Sequence, residues 1–301
     1  MRHRTAVSYR LVVAGVLVTL LTTGCGTGSG GTSGTGSTST VQRDQALHDR
    51  LPAAIRDRGV VRLATDPSYA PMESYARDGR TIVGFEPDLA AALGSVLGVT
   101  VEMLAADFGT ALDDTVAGRF DGVLSSMTDT AEREKKADFV NYFAAGTSIV
   151  VQRGNPHGVT DLKDLCGQMV AVETATVQVD LLHRAQSRCG ARRILVRTYK
   201  TNADALLQLR TGRAVAVLND TPPAVHLVAD QQTRAHYQLA STVQYEPGLY
   251  GIAVAKANPA LRDALRDALD RLIRSGAYTE LLQRWGLTAG AVSASSINAG
   301  G

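Results

Sequence analysis

Arg133 is the side chain whose type and position most directly suggest chemistry. The run Asp129-Thr130-Ala131-Glu132 has the Asp-x-x-Glu spacing of a capping box, which predicts a helix start with Arg133 in the first turn. A cation there opposes the helix dipole at a cost of about 0.3–1 kcal/mol, a local misfit typical of an arginine kept for function. The alternative is that residues 132–136, EREKK, form a solvated charged face.

No catalytic motif accompanies this arginine. The sequence contains neither H-E-x-x-H nor G-x-S-x-G, and its histidines lack metal-ligand spacing. A G-x-G-x-x-G match at Gly26, Gly28 and Gly31 has no predicted strand before it and no helix after it. These features argue against metal, serine-hydrolase and dinucleotide chemistry, and they imply no cofactor.

Composition predicts a globular protein without a nucleic-acid partner. With 301 residues, 45% of them hydrophobic, the chain can form one large or two ordinary domains. The formal charge of +2 includes Arg2, Arg4 and Arg10 of the N-terminal segment, and without them acidic and basic residues nearly balance. Binding to DNA or RNA requires clustered basic residues, which are not found here.

The N-terminus has the features of an export signal. Residues 1–24 carry basic residues and then the apolar run Leu11–Leu21, which is shorter than the roughly 20 residues of a membrane-spanning helix. Leu21-Thr22-Thr23-Gly24-Cys25 resembles the lipobox of bacterial lipoproteins, although Thr22 replaces the usual leucine. The resemblance implies acylation of Cys25, the alternative being an ordinary secretory signal with an incidental cysteine.

Residues 25–45 predict a flexible tether after this cysteine, because Gly26 to Thr40 consists of Gly, Ser and Thr alone. The other two cysteines, Cys166 and Cys189, are expected to form a disulfide in an exported compartment. Two buried free thiols are the alternative, and metal ligation is less favoured than either.

Residues 46–287 alternate β-branched runs with amphipathic stretches, a pattern typical of an α/β fold. The predicted strands are Val60–Ala64, Val99–Leu104, Gly122–Ser125, Ser148–Gln152, Met169–Val172, Ile194–Tyr199, Ala214–Leu218 and Ile252–Ala255. The predicted helices are Pro87–Leu97, Ala111–Ala117, Val177–Ser187, Ala203–Arg210, Ala260–Arg274 and Tyr278–Trp285. Residues 288–301 are small and polar and are expected to be flexible.

An internal similarity suggests two related lobes. Residues 111–126 align without gaps on residues 205–220, and both segments predict a helix, a Gly-Arg turn, an apolar strand and polar residues at its carboxyl end. Ligands of open α/β sheets bind beyond such strand ends. Each lobe is therefore expected to offer polar groups to a shared cleft.

The chain resembles the family 3 solute-binding proteins of ABC importers for polar amino acids. The resemblance runs from about Gly59 to Leu287. The segments that carry it are Ala64-Thr65-Asp66, Tyr69-Ala70-Pro71, Val83-Gly84-Phe85-Glu86-Pro87-Asp88-Leu89, residues 125–133, Asp138-Phe139 and residues 218–222.

This resemblance implies a two-lobed fold of the periplasmic-binding-protein type II class, with two open sheets and a ligand cleft between the lobes. Lobe 1 is expected to comprise residues 46–146 and 250–287, and lobe 2 residues 150–246. Two crossing segments, Gly146–Val151 and Gly248–Ala253, are expected to form the hinge, whose closure would trap the ligand.

The resemblance also implies partners for a zwitterion, which is costly to bury unless each charge is paired. Arg133, with Thr128 and Thr176, would bind the α-carboxylate. Asp220, with the carbonyl of Ser126, would bind the α-ammonium group. Asn219 precedes Asp220 and is included among the expected ligand-binding residues.

Other positions would contact the ligand's side chain. Tyr69 and Phe108 would form aromatic walls, although Phe108 could equally be an ordinary core residue. Asp66 and Glu173 would set selectivity, and two carboxyl groups suit an amide or a cation.

The loop Thr174-Ala175-Thr176-Val177 departs from the family's usual Gly-Thr-Thr or Gly-Thr-Gly.

The expected function is that of a binding protein, not an enzyme. A monomer anchored by lipid on the outer face of the cell membrane would capture a free polar amino acid and deliver it to permease subunits served by a cytoplasmic ATPase. Glutamine is placed first, then arginine, lysine or ornithine. The alternatives are a cyclohexadienyl dehydratase with Glu173 as its acid and a sensor that signals to a membrane partner.

Overall fold

The computed structural model describes residues 42–300. The expected signal segment, the acylated Cys25 and the tether up to residue 41 lie outside these described residues. Within residues 42–300, no helix is both long enough and apolar enough to cross a bilayer.

The first part of the described chain forms one lobe, lobe 1. Its elements are α1 (Gln45–Arg50), α2 (Ala53–Arg58), β1 (Val60–Thr65), β2 (Ser68–Tyr69), β3 (Glu73–Tyr75), β4 (Ile82–Val83), α3 (Phe85–Leu97), β5 (Thr100–Ala105), α4 (Phe108–Val116), β6 (Gly122–Val123) and α5 (Ala131–Glu134). Strand β1 pairs in parallel with β5 and β6, whereas β2, β3 and β4 form a small antiparallel sheet. The parallel strands direct their carboxyl ends toward one edge.

Strand β7 (Ala137–Gln152) runs from lobe 1 into a second lobe, lobe 2. The elements that follow are β8 (Met169–Glu173), α6 (Val177–Ala185), β9 (Leu195–Tyr199), α7 (Asn202–Arg210), β10 (Ala216–Asp220), α8 (Thr221–Ala229) and β11 (Tyr237–Leu239). Strand β8 pairs in parallel with β9 and β10, and β10 and β11 pair antiparallel to β7. Lobe 2 thus has its own strands with carboxyl ends at one edge.

Strand β12 (Tyr245–Ala255) returns to lobe 1 and is followed by α9 (Pro259–Ser275), α10 (Ala277–Trp285) and β13 (Ser296–Ile297). Along β7, pairing with β12 extends from Ala137 to Thr147, and pairing with β10 extends from Thr147 to Val151. Gly146 directly precedes Thr147, the residue that pairs with both strands. Strands β7 and β12 are therefore the segments that connect the lobes, and one mixed sheet extends through both.

Each lobe has its own apolar core. In lobe 1, α3, α9 and α10 pack on the sheet, and α9 buries Leu261, Leu265 and Leu269 on one face, as the 3.6-residue helical period requires. In lobe 2, separate clusters that include Leu182 and Leu209 cover the two faces of the sheet. The cores stabilise the lobes separately and leave polar residues free to face the cleft.

The structure confirms the expected two-lobed α/β fold and the disulfide. Cys166 and Cys189 are bonded, with their Cα atoms 5.3 Å apart. The expected helix cap is wrong by one residue, because Thr130, not Asp129, caps α5 by accepting from the backbone N–H of Arg133. The Asp129 carboxylate instead accepts from the side chain of Asn141 and the backbone N–H of Gly300.

The expectation of a flexible C-terminal tail is wrong for the described residues up to Gly300. Strand β13 pairs with β7 at Asn141 and Val140. The Asn298 side chain accepts from the backbone N–H of Phe139 at 2.8 Å. Small polar residues are typical of a frayed end, but here they provide the backbone and side-chain hydrogen bonds of an added strand.

Candidate functional site

A cavity lies between the lobes and is partly open to solvent. Every site residue expected from the sequence lines it, with the exception of Asn219. These residues are Asp66, Tyr69, Phe108, Ser126, Thr128, Arg133, Glu173, Thr176 and Asp220. The fold thus brings together residues that are up to 154 positions apart in the sequence.

Arg133 connects the two lobes at one end of the cavity. Its Nη1 donates to the carbonyl of Thr128 at 2.6 Å, and its Nη2 donates to the carbonyl of Ala175 in lobe 2 at 2.8 Å. The guanidinium carbon lies 5.7 Å from the ring centroid of Phe108, within cation–π range. Burial lowers the pKa of Arg133 to about 10, so the group is still cationic at neutral pH and can bind a carboxylate.

Ala175 has a backbone conformation that glycine adopts more readily. Its φ is +60°, in the left-handed region. The family that this chain resembles usually has glycine at this position. This conformation lets the carbonyl of Ala175 accept from Arg133. The next residue, Thr176, precedes α6, and its hydroxyl donates to the carbonyl of Glu173 at 2.8 Å, which stabilises the turn.

Asp220, at the carboxyl end of β10, has hydrogen bonds from both lobes. The hydroxyl of Tyr69 lies 3.0 Å from its Oδ2, and Gln178 Nε2 donates to its Oδ1 at 2.7 Å. Burial raises the pKa of Asp220 to about 6, while the hydrogen bonds from Tyr69 and Gln178 act in the opposite direction. At neutral pH the carboxylate is charged and can bind an ammonium group.

Asp66 and Glu173 form a second acidic site, with one carboxyl group from each lobe. Both residues are 7% exposed, and both line the cavity. Burial and the nearby Asp66 raise the pKa of Glu173 to about 9. Glu173 is therefore a neutral carboxylic acid at neutral pH.

Ser126 is held in place by buried groups beneath the cavity. Its φ is +45°, and its backbone N–H and hydroxyl both donate to Glu86 Oε1, at 2.7 and 2.9 Å. The hydroxyl of Tyr142 donates to the same oxygen. Since the Ser126 hydroxyl donates its hydrogen to Glu86, it has none to donate to a ligand, whereas the backbone carbonyl of Ser126 can accept from one.

Glu86 contacts a further buried carboxyl group, Glu73. The hydroxyl of Ser125 donates to Glu73 at 2.9 Å and itself accepts from the backbone N–H of Asp66 at 2.9 Å. Burial raises the pKa of both glutamates, well above the ordinary value in the case of Glu73. The pair therefore retains a proton and links the Ser126 turn to the Asp66 backbone.

Some site residues differ from expectation. Asn219 lies in β10 next to Asp220, and because successive strand residues point to opposite faces, it does not line the cavity. Glu73, Ser125, Val177 and Gln178 line it but were not predicted. Glu73 and Ser125 fall within or beside the quoted motifs, and Gln178 is in the first turn of α6, so their positions in the sequence offered a signal.

The cavity as a whole is acidic. Its lining includes four carboxyl side chains, from Asp66, Glu73, Glu173 and Asp220, and one guanidinium group, from Arg133. A zwitterion can pair its carboxylate with Arg133 and its ammonium group with Asp220. Asp66 and Glu173 then remain for a polar group elsewhere on the ligand.

A two-lobed α/β fold with a polar cleft between its lobes defines the class of extracytoplasmic solute-binding proteins. Residues 61–288 match the model of the bacterial extracellular solute-binding proteins, family 3, and the chain belongs to this family. It is 29% identical over 252 residues to the arginine-binding protein ArgT of Corynebacterium glutamicum, covering 82% of this chain and 81% of that protein. It is 28% identical over 233 residues to the L-cystine-binding protein TcyJ of Escherichia coli K12, covering 77% and 84%.

Solved structures show the same relationship. An ancestral arginine-binding protein bound to arginine superposes with a TM-score of 0.70 at 31% identity, covering 76% of this chain and 98% of that one. The structure described with glutamine has the same TM-score and identity and covers 76% of this chain and 99% of that one. The ancestral amino acid-binding protein AncCDT-1, described as a precursor of cyclohexadienyl dehydratase, has a TM-score of 0.68 at 30% identity, covering 77% and 97%. Homologues of this chain are thus amino-acid-binding proteins.

Proposed function

We propose that this protein is the substrate-binding component of an ABC importer and that it captures a free amino acid with a cationic side chain, arginine foremost. Membership of the solute-binding family supports the transport role. The arginine-binding relatives support the ligand class, but the observation that carries it is the pair of buried carboxyl groups, Asp66 and Glu173, in the same cavity as Arg133 and Asp220.

The cavity can pair every charge of such a ligand. Arg133 keeps N–H groups beyond the two that bind the carbonyls of Thr128 and Ala175, and these would bind an α-carboxylate, while Asp220 would bind the α-ammonium group. A ligand guanidinium or ammonium group would then lie between Asp66 and Glu173. Since a buried cation without a partner costs several kcal/mol, this arrangement favours cationic over apolar side chains.

Glutamine is the second candidate ligand. This order is the reverse of the one expected from the sequence, in which glutamine comes before arginine. Its amide could donate to a carboxylate and accept from a carboxylic acid, so it also fits a pair in which Glu173 keeps its proton. The ancestral arginine-binding protein described with each of the two ligands shows that one member of this fold accepts both. The excess of carboxyl groups in the cavity favours the cation.

Thermal melting of the mature protein against a panel of amino acids tests this proposal. A ligand at 100 times its dissociation constant should add about 2.7 kcal/mol to the free energy of unfolding. We expect the largest shift with arginine, then lysine, ornithine and glutamine, and none with glutamate. A larger shift with glutamate than with arginine and glutamine would contradict the proposal, as would the absence of any shift across the panel.

Delivery and anchoring complete the proposal. The lipid on Cys25 would hold the protein at the outer face of the cell membrane, and the Gly/Ser/Thr tether would let a monomeric body reach the permease, whose ATPase lies in the cytoplasm. Labelling of growing cells with a palmitate analogue should mark the wild-type protein and leave a Cys25→Ala variant unlabelled and released from the membrane.

An enzymatic role is the second candidate function, because Glu173 is a neutral acid inside the cavity. Such a group could donate a proton to a leaving hydroxyl, as a cyclohexadienyl dehydratase requires, and AncCDT-1 is a structural neighbour. Formation of an aromatic product from a cyclohexadienyl substrate, followed by its absorbance, would support this role if Glu173→Gln abolished it. A sensor role would be indicated by a cellular response to the ligand that persists in cells that lack the permease.

A further inference from the structure

Asp66 and Glu173 place two carboxyl groups in one buried space. They come from opposite lobes, both are 93% buried and line the same cavity, and Glu173 Oε1 has no hydrogen-bond partner. Two ionised carboxylates in such a site repel each other and have no hydrogen to share. A proton on Glu173, whose pKa is raised by burial and by Asp66, removes this repulsion.

No cation balances this pair. Among the described residues, neither Asp66 nor Glu173 belongs to an ion pair, and two basic groups of the surrounding elements bind elsewhere. Lys200 lies 3.4 Å from Asp107, and Arg133 donates to the carbonyls of Thr128 and Ala175. The proton on Glu173 therefore takes the place of a cation at this pair.

The other titratable groups around the pair come from several elements. These are Glu73 from β3, Glu86 from α3, Asp107 before α4, Arg133 from α5, Asp220 from β10, and the hydroxyls of Tyr69 and Tyr250. Most are acids, and those with the strongest effect on Glu173 are Asp66, Asp220 and Asp107, which raise its pKa further. Only a group brought by the ligand could replace the proton.

We propose that this proton determines which side chain the cleft accepts, because a cationic side chain displaces it and an amide side chain retains it. This inference rests on the proposed function. With arginine, the Glu173 O–H bond breaks, the proton passes to solvent, and the guanidinium group lies between two carboxylates. With glutamine, the Glu173 O–H donates to the amide oxygen and the Asp66 carboxylate accepts from the amide N–H₂, so no proton leaves the site.

The proton count gives a direct test. Isothermal titration calorimetry near pH 7.5, repeated in buffers of different ionisation enthalpy, measures the protons released per ligand bound. We expect about one more proton for arginine than for glutamine. The dissociation constant for arginine should fall about tenfold per pH unit between about pH 6.5 and 8.5, whereas that for glutamine should change little.

Two variants separate the pair from general effects. Glu173→Gln keeps the shape and an N–H donor but cannot ionise, so it should abolish the extra proton and the pH dependence of arginine binding. These two measurements, and not the affinity for either ligand, test the role of the proton. Glu102→Gln, at an exposed position of edge strand β5, is the matched control and should behave as wild type.

The outcomes are distinguishable. If neither arginine nor glutamine binds, the proposed function fails. If both bind with the same proton release, or if Glu173→Gln leaves the pH dependence of arginine binding unchanged, the proton on Glu173 does not select the ligand and this inference is overturned. Because Asp220 would pair with the α-ammonium group of either ligand, its titration cancels in the comparison.

Discussion

Tyr69 and Asp220 bind each other from opposite lobes. The hydroxyl of Tyr69 donates to Oδ2 of Asp220 at 3.0 Å and accepts from the backbone N–H of Asp220 at 2.9 Å. The side chain expected to be an aromatic wall therefore also positions the carboxylate expected to bind the ligand's ammonium group. It stabilises the charged form of Asp220 in the place where a ligand would need it.

Replacing Tyr69 by Phe should weaken ligand binding. The change keeps the ring but removes a hydrogen bond to a charged group, which is worth about 1.5–3 kcal/mol. We expect a loss of affinity of about tenfold or more by calorimetry. Tyr75→Phe, at a residue that is 47% exposed, is the control. Equal affinities for the two variants would show that the Tyr69 hydroxyl has no role in binding.

Arg133→Lys should also impair binding, because lysine retains the charge but not the planar fork that binds a carboxylate through two N–H groups. Truncating one partner of a buried charge pair costs about 2–5 kcal/mol, and Arg133→Ala should lose about that much. The lysine variant should fall between alanine and wild type. Arg80→Ala, at an exposed position, serves as the control, and an Arg133→Ala variant with its affinity unchanged would exclude the proposed carboxylate site.

The stability of the ligand-free protein should fall as the pH rises. The pKa of Glu173 is about 9 in the folded chain against 4.5 ordinarily, and that of Asp220 is about 6 against 3.8. Between these values the folded chain holds protons that the unfolded chain releases, so raising the pH favours unfolding. Melting temperatures should decrease from about pH 5 to about pH 9, and less steeply in Glu173→Gln. A parallel pH profile for the variant would contradict the assignment.

The disulfide should stabilise lobe 2 without affecting the ligand site. Cys166 and Cys189 are 23 positions apart and do not line the cavity. In the chain-entropy model, a loop of this size contributes roughly 3 kcal/mol. The double replacement of both cysteines by Ser should lower the melting temperature by several degrees and leave affinity near the wild-type value at a temperature where the protein is folded. A large loss of affinity there would mean that the bridge also shapes the cavity.

Deleting residues 291–301 should destabilise the protein. The deletion removes β13 and the hydrogen bonds that Asn298 and Gly300 form with lobe 1, each worth about 1 kcal/mol. We expect a lower melting temperature and, by hydrogen exchange, faster exchange of the backbone N–H of Phe139. Substitution of Asn298 by Ala should have a smaller effect in the same direction. A truncated protein as stable as wild type would show that the tail contributes nothing.

Local signals in the sequence predicted much of this molecule. The alternation of strands and helices depends on short-range hydrophobic patterns, which is why β1, β8 and α9 agree with expectation. The site was found through polar residues at strand ends, such as Asp66 and Asp220, and through the resemblance to a family. These features are determined by neighbouring residues and by the fold class.

What could not be predicted depends on contacts between distant residues. Nothing near Ser296 shows that it will pair with Asn141, and a polar tail and an added edge strand have the same composition. The raised pKa of Glu173 follows from burial and from the approach of Asp66 in the other lobe. Likewise, Asn219 is excluded from the cavity by strand alternation, which is known only once the orientation of β10 is known.

Strand β7 has a mechanical consequence. It belongs to the sheets of both lobes without a break, and its hydrogen-bonded neighbours change from β12 to β10 around Gly146. Sliding of one lobe past the other would break these ladders, so bending and twisting near this glycine would cost less. In the proposed transport role, ligand binding would therefore change the angle between the lobes, and a permease that touches both lobes would distinguish loaded from empty protein by that angle.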